Sequence, residues 1–184
     1  LLLLIPNTIA WFTNLGVGRA NSYLIGTRKY TPQILVGNSL SLAVVLGMVT
    51  GIACWIAMPA PLQHLSASNI DKPMLILALL IVPLTLLEMY LEGLLLGLER
   101  IAQLAFVTVS RFFSLLALNI VLVLAFRLGV WGVLLSAIAA PAICVSIYSH
   151  FLRHDVKMCP SFDIEALKAA LAFGLQGHVG NILH

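Results

Sequence analysis

Four charged residues fall inside long apolar stretches, where an ionisable side chain is costly and marks a functional site by default. They are Arg19, Glu88, Glu92 and Arg111. Glu88 stands eleven residues before the Glu99-Arg100 turn, and Arg111 eleven residues after it. At about 1.5 Å per helical residue each lies roughly 16 Å from that turn, near mid-bilayer. Consecutive antiparallel helices therefore bring Glu88 and Arg111 to equal depth. Glu92 sits one turn nearer the charged end on the face of Glu88, and Arg19, nine residues before Arg28, has a similar depth. Two chemistries follow. One is an ion pair that joins two helices. The other is a polar cavity in which Arg19 and Arg111 meet an anionic substrate while Glu88 or Glu92 couples to a cation. Asn14, His178 and Asn181 are candidates for lining such a cavity, the last two at helical spacing with Gly174 in an unusually polar final segment.

Other constellations are weaker. His150 and His154 lie one turn apart with Cys159 beyond, three potential ligands in a connector, too few for a structural metal site. His150 and Asp155 have the His-x4-Asp spacing of glycerolipid acyltransferases, but no polar acceptor-binding domain surrounds them. Cys54, Cys144 and Cys159 have no repeated spacing and form no disulfide framework. The chain contains no Gly-rich phosphate loop, no Ser-centred elbow and no CxxC. No metal or cofactor is expected, and no catalytic residue.

The elements that position these residues follow from composition. Of the 184 residues, 61% are hydrophobic and only 9% charged, with net charge +3 and mean hydropathy +1.05. Soluble domains average about 45–50% apolar and about 25% charged. Such a chain needs lipid, which excludes a soluble enzyme domain, a nucleic-acid module and a disordered chain. Spanning the hydrocarbon takes about 20 apolar residues. Cutting at charges and Pro/Gly clusters leaves Leu1 to about Ile25, Ile34 to Met58, Pro73 to Leu98 with a kink at Pro83, Ile101 to Phe126, Val130 to His150, and a stretch from Ala169 to His184. The expected fold class is all-α, a polytopic transmembrane bundle with about five full spans and the start of a sixth. Alternating loops place Arg28, Lys29, Arg100, Arg153, Lys157 and Lys168 on one side, and only Lys72 and Arg127 on the other, with the polar loop Gln63–Lys72. The positive-inside rule makes the first side cytoplasmic. Small or polar residues recur every four positions at Ala10, Asn14, Gly18, Ser22 and Gly26, at Ser39, Ala43, Gly47 and Gly51, and at Gly132, Ser136, Ala140 and Cys144, with a shorter copy at Gly93 and Gly97. That spacing puts each set on one helix face, where neighbouring backbones approach closely. Leu1 already lies in an apolar run without a basic segment ahead of it, so the chain reads as an excerpt of a longer membrane protein.

Several strings then resemble one family. Leu15-Gly16-Val17-Gly18-Arg19-Ala20-Asn21-Ser22-Tyr23-Leu24-Ile25 resembles the end of the second helix of bacterial oligosaccharide flippases. These are the O-antigen and polysaccharide exporters of the multidrug/oligosaccharidyl-lipid/polysaccharide exporter superfamily. Gly97-Leu98-Glu99-Arg100-Ile101 is similar to their turn between helices four and five, and Leu128-Gly129-Val130-Trp131-Gly132-Val133 to their entry into helix six. Phe162-Asp163-Ile164-Glu165-Ala166-Leu167-Lys168 with Phe173-Gly174-Leu175 resembles the start of helix seven. The resemblance implies residues 1–150 as N-terminal-lobe helices, 151–168 as a cytoplasmic inter-lobe connector and 169–184 as the start of the second lobe. It implies a multi-pass protein of the bacterial inner membrane, not an enzyme. Such a protein flips a polyprenyl-diphosphate-linked oligosaccharide by alternating access, for lipopolysaccharide or other surface polysaccharide biosynthesis. Its partners would be the lipid-linked oligosaccharide, membrane lipids and a polysaccharide polymerase or other assembly protein, with no nucleic acid. Family members hold the diphosphate with cationic cavity residues, for which Arg19 and Arg111 have suitable depth. A drug/cation antiporter of the same superfamily and, more remotely, a lipid-modifying membrane enzyme are the alternatives.

Overall fold

A computed structural model describes residues 3–57 and 72–182, without the side chains of 54, 55, 57, 72, 75 and 177–182. The expected loop from Gln63 falls outside the described residues until Lys72, which opens a helix, and His184 falls outside them too. Among the described residues the regular structure is entirely helical. The helices are α1 (Leu4–Thr13), α2 (Val17–Gly26), α3 (Pro32–Ala57), α4 (Lys72–Leu79), α5 (Ile81–Gly97), α6 (Ile101–Asn119), α7 (Val130–Leu152) and α8 (Ile164–Ile182). Four stretches are long and apolar enough to cross a bilayer: Pro32–Ala53, Ile76–Gly97, Ile101–Ala125 and Val130–Leu152. The chain is a helical membrane protein.

The first, third and fourth apolar stretches each depart from a single regular α-helix. The first, Leu1 to Ile25, is two ten-residue helices separated by Asn14-Leu15-Gly16. Leu15 (φ 52°) and Gly16 (φ 69°) both adopt the left-handed conformation, which stops the α1 hydrogen-bond ladder and starts a new one at α2. Glycine takes this conformation freely, whereas leucine is strained in it. The break also lets backbone touch backbone, since a Cβ on Gly16 would collide with the Gly174 carbonyl of α8. In the third stretch the chain turns at Leu80, between α4 and α5. Pro83 has no N–H to offer the Leu79 carbonyl, and the Leu80 N–H bonds instead to Leu77 O at 3.1 Å. In the fourth, α6 continues as a π-helix over Ile120–Ala125. The last helix starts earlier than Ala169, because Asp163 caps it: its Oδ1 accepts from the Ala166 N–H at 2.9 Å.

Helix α5 is central and packs against α1, α2, α3, α6 and α7. Its Tyr90, Leu91, Leu94 and Leu95 are fully buried. The four-residue stripes are the contact lines. Gly18 and Gly93 face each other so closely that a Cβ on Gly93 would overlap the Gly18 carbonyl, and Ser22 Oγ donates to Gly93 O at 2.7 Å. Gly47 receives the Pro83 ring. Gly132, Ser136, Ala140 and Cys144 are all buried, with Ser136 Oγ donating to Asn119 Oδ1 at 3.1 Å. Helix α6 is peripheral. Its Phe106, Val109, Phe112, Phe113 and Leu116 are exposed, and Val107 is its one buried residue. A helix whose open face is largely apolar is suited to lipid or to further helices, and not to water.

Candidate functional site

The α1–α2 break stands beside a cavity of about 270 Å³. Close glycine packing holds α2 against α5, so residues of both helices wall it: Asn14, Arg19 and Ser22 from the break and α2, Met89 and Glu92 from α5, with Trp11 of α1 at one side. Three residues singled out by type and depth, Asn14, Arg19 and Glu92, thus converge on one space. Arg19 and Glu92 are exposed, and neither forms an ion pair among the described residues. Asn14 Oδ1 is buried without a hydrogen-bond partner. The first-turn N–H groups of Gly18 and Arg19 have no backbone acceptor among the described residues, as the start of a helix requires. The cavity therefore offers an acceptor, the Glu92 carboxylate, and donors, the Arg19 guanidinium and the α2 start.

Arg111 lies elsewhere. Its Nη1 is 3.3 Å from Glu88 Oε1, which joins α6 to α5 at the shared depth that counting from the turn gives. The Glu88 side chain is 4% exposed and that of Arg111 45%. Glu88 Oε2 has no hydrogen-bond partner. Arg111 is not among the residues that wall the cavity, so the structure does not place it with Arg19 in one cationic site. Glu88 and Glu92, although one turn apart, are divided in the same way. His178 and Asn181 lie on α8, with side chains outside the described residues.

Several polar contacts escaped the sequence reading. Asn21 is 2% exposed, and its Nδ2 donates to Ser39 Oγ at 2.8 Å and to Tyr90 O at 3.4 Å, tying α2 to α3 and α5 behind the cavity. The connector between α7 and α8 is clamped to α3. Gln33 exchanges two bonds of 2.6 Å with the Lys157 backbone, and Asn38 exchanges bonds of 2.9 and 2.7 Å with that of Asp163. Gln33, Gly37 and Ser41 recur every four residues along α3, a spacing that could have signalled this face. Arg100 Nη2 pairs with Asp155 Oδ2 at 2.7 Å, and its Nη1 donates to Phe151 O. Asp155 is thus engaged by Arg100, while His150 lies edge-on to His154. No hydrogen bond joins His150 to Asp155 among the described residues. No group of three metal-ligating side chains occurs among the described residues.

No family model, curated protein or solved structure matches the chain.

Proposed function

We propose that the chain is the N-terminal lobe of an alternating-access transporter in the bacterial inner membrane, with about five spans and the start of the second lobe, which flips a polyprenyl-diphosphate-linked oligosaccharide outward for surface polysaccharide assembly. The observation that carries the transport reading is the discontinuous first span with a polar cavity at its break. Transporters build substrate sites from such interrupted helices, where unpaired backbone groups and helix ends meet the cargo within the membrane. The family follows from the sequence strings and charge topology, and the close contact of the break with Gly174 of α8 supports a site shared between lobes.

Complementation tests this. The gene, expressed in a strain lacking its O-antigen flippase, should restore surface polysaccharide, and Arg19→Ala at equal protein level should lower it at least ~10-fold, the weight of one charge-assisted contact of about 1.5 kcal/mol. Export unchanged by the gene would sink the flippase reading. One observation favours the drug/cation antiporter instead: the only carboxylate on the cavity wall, Glu92, is unpaired among the described residues. Drug resistance conferred by the gene and lost in Glu92→Gln, without effect on polysaccharide, would decide for it.

A further inference from the structure

Among the described residues, the cavity at the α1–α2 break is walled by one cationic and one anionic side chain, Arg19 and Glu92. We propose that it is a subsite for a single amphoteric sugar unit, one that carries an amine and an acidic group, and that the diphosphate of the carrier binds elsewhere; this rests on the flippase reading of the fold. Three observations carry it.

Charge comes first. Arg19 shares its cavity with Glu92, and the charge of Arg111 is engaged by Glu88 at 3.3 Å. A diphosphate at Arg19 would bring its negative charge beside the Glu92 carboxylate of the same cavity. A charge inside the membrane that lacks a partner is costly, and Arg19 and Glu92 do not pair with each other. A ligand that brings an ammonium to Glu92 and an acid to Arg19 satisfies both together, where a simple anion or cation leaves the other side chain unmatched.

The hydrogen-bonding groups sort the same way. The Gly18 and Arg19 N–H groups at the start of α2 add donors, and the helix dipole there favours an anionic group.

Size and shape set the class. The volume, about 270 Å³, falls just below the roughly 300–1,000 Å³ of pockets for drug-sized ligands, room for one ring but not for an oligosaccharide. Trp11, on the cavity wall and 67% exposed, presents the flat apolar face on which a sugar ring can lie.

The full-length protein in lipid nanodiscs, with Trp55, Trp131 and every tryptophan outside these 184 residues replaced by phenylalanine so that Trp11 alone reports, is titrated with glucosamine 6-phosphate, glucosamine, glucose 6-phosphate and glucose. The expected order has glucosamine 6-phosphate binding at least ~10-fold tighter than either singly charged sugar, about 1.4 kcal/mol. Arg19→Gln should erase its advantage over glucosamine and Arg19→Lys should keep part of it. Glu92→Gln should erase its advantage over glucose 6-phosphate. Equal affinity for glucose 6-phosphate and glucosamine 6-phosphate would make this a plain anion site and overturn the proposal. So would the absence of a saturable Trp11 response to all four sugars, provided the protein elutes as a folded, monodisperse species. Polysaccharide export is scored separately. Lost discrimination with export intact overturns the subsite alone, whereas a wild-type gene that restores no export overturns the flippase reading and leaves the binding result standing.

Discussion

Glu88 and Arg111 illustrate how unequal the two ends of a membrane ion pair can be. The Glu88 side chain is almost fully enclosed, while nearly half of the Arg111 side chain is open. Removing the arginine strands a carboxylate that has a second oxygen already without a partner. Removing the charge of the glutamate strands a guanidinium whose long stem can carry it toward a more polar level. We expect Arg111→Met to destabilise by about 3 kcal/mol, the lower end for breaking a buried pair, with Glu88→Gln milder and the double variant less damaged than Arg111→Met alone. Thermal unfolding of the full-length protein in detergent checks this, and Glu88→Gln proving as harmful as Arg111→Met would contradict it. The pairing was legible because residue counts from a turn give depth. What the counts do not give is which neighbour a side chain faces. Helix α5 is enclosed on several sides, so Glu88 and Glu92, nearly in line along it, reach different partners: α6 for one, the α2 cavity for the other. For that reason the sequence grouped Arg19 with Arg111, and the folded chain separates them.

At the scale of helices, the stripes of small residues were legible and the breaks were not. Spacing by four identifies a contact line irrespective of which helix lies across it, and Gly18, Gly93 and Gly97 are all used for close approach. The neighbour a Cβ would meet decides how much each matters. Gly93 is filled by the Gly18 carbonyl, a backbone atom that cannot swing aside, whereas Gly51 has open space. Gly93→Ala is expected to cost about 1–3 kcal/mol, as overpacking does, and to widen the α2–α5 crossing that shapes the cavity. Gly51→Ala is expected to be neutral or slightly stabilising, since alanine is the better helix former. Chemical unfolding of both variants against wild type tests the pair, and equal losses would refute the crossing. The α1–α2 break was hidden because leucine, which rarely marks a turn, fills its first positive-φ position. Leu15, Arg28, Glu99 and Arg127 all take left-handed φ. At Glu99 the chain closes α5 with bonds from Glu99 N to Leu96 O and from Arg100 N to Leu95 O, the pattern usually built on glycine. There the turn was found from charge and not from turn chemistry. At Leu15 no charge cluster or proline marked the turn, and the segments Leu4–Thr13 and Val17–Gly26 read as one span.

For the whole molecule, orientation follows from which turns share an end. The Arg100–Asp155 pair brings the α5–α6 turn to the connector after α7, and the Gln33–Lys157 bonds bring the same connector to the start of α3. Arg28, Lys29, Arg100, Arg153 and Lys157 are therefore gathered at one end by contacts that owe nothing to the charge rule. Arg127 is separated from that end by the stretch Ile101–Ala125, about 37 Å at the rise of a helix. With Lys168 counted at that end and Lys72 beside Arg127 at the other, the imbalance is six cations to two, and the positive-inside rule predicts that the end of Arg28 and Arg100 faces the cytoplasm. The prediction is made for single-cysteine variants in which Cys54 and Cys159 are replaced by serine and Cys144, fully buried beside α5, is retained. In intact cells a membrane-impermeant maleimide should label Leu128→Cys and spare Thr27→Cys, both positions being exposed. After permeabilisation Thr27→Cys should label as well. Labelling of Thr27→Cys alone in intact cells would invert the orientation. Equal labelling of the two would mean that the turn after α2 and the turn after α6 face the same side, and the bundle could not then be threaded as these contacts require.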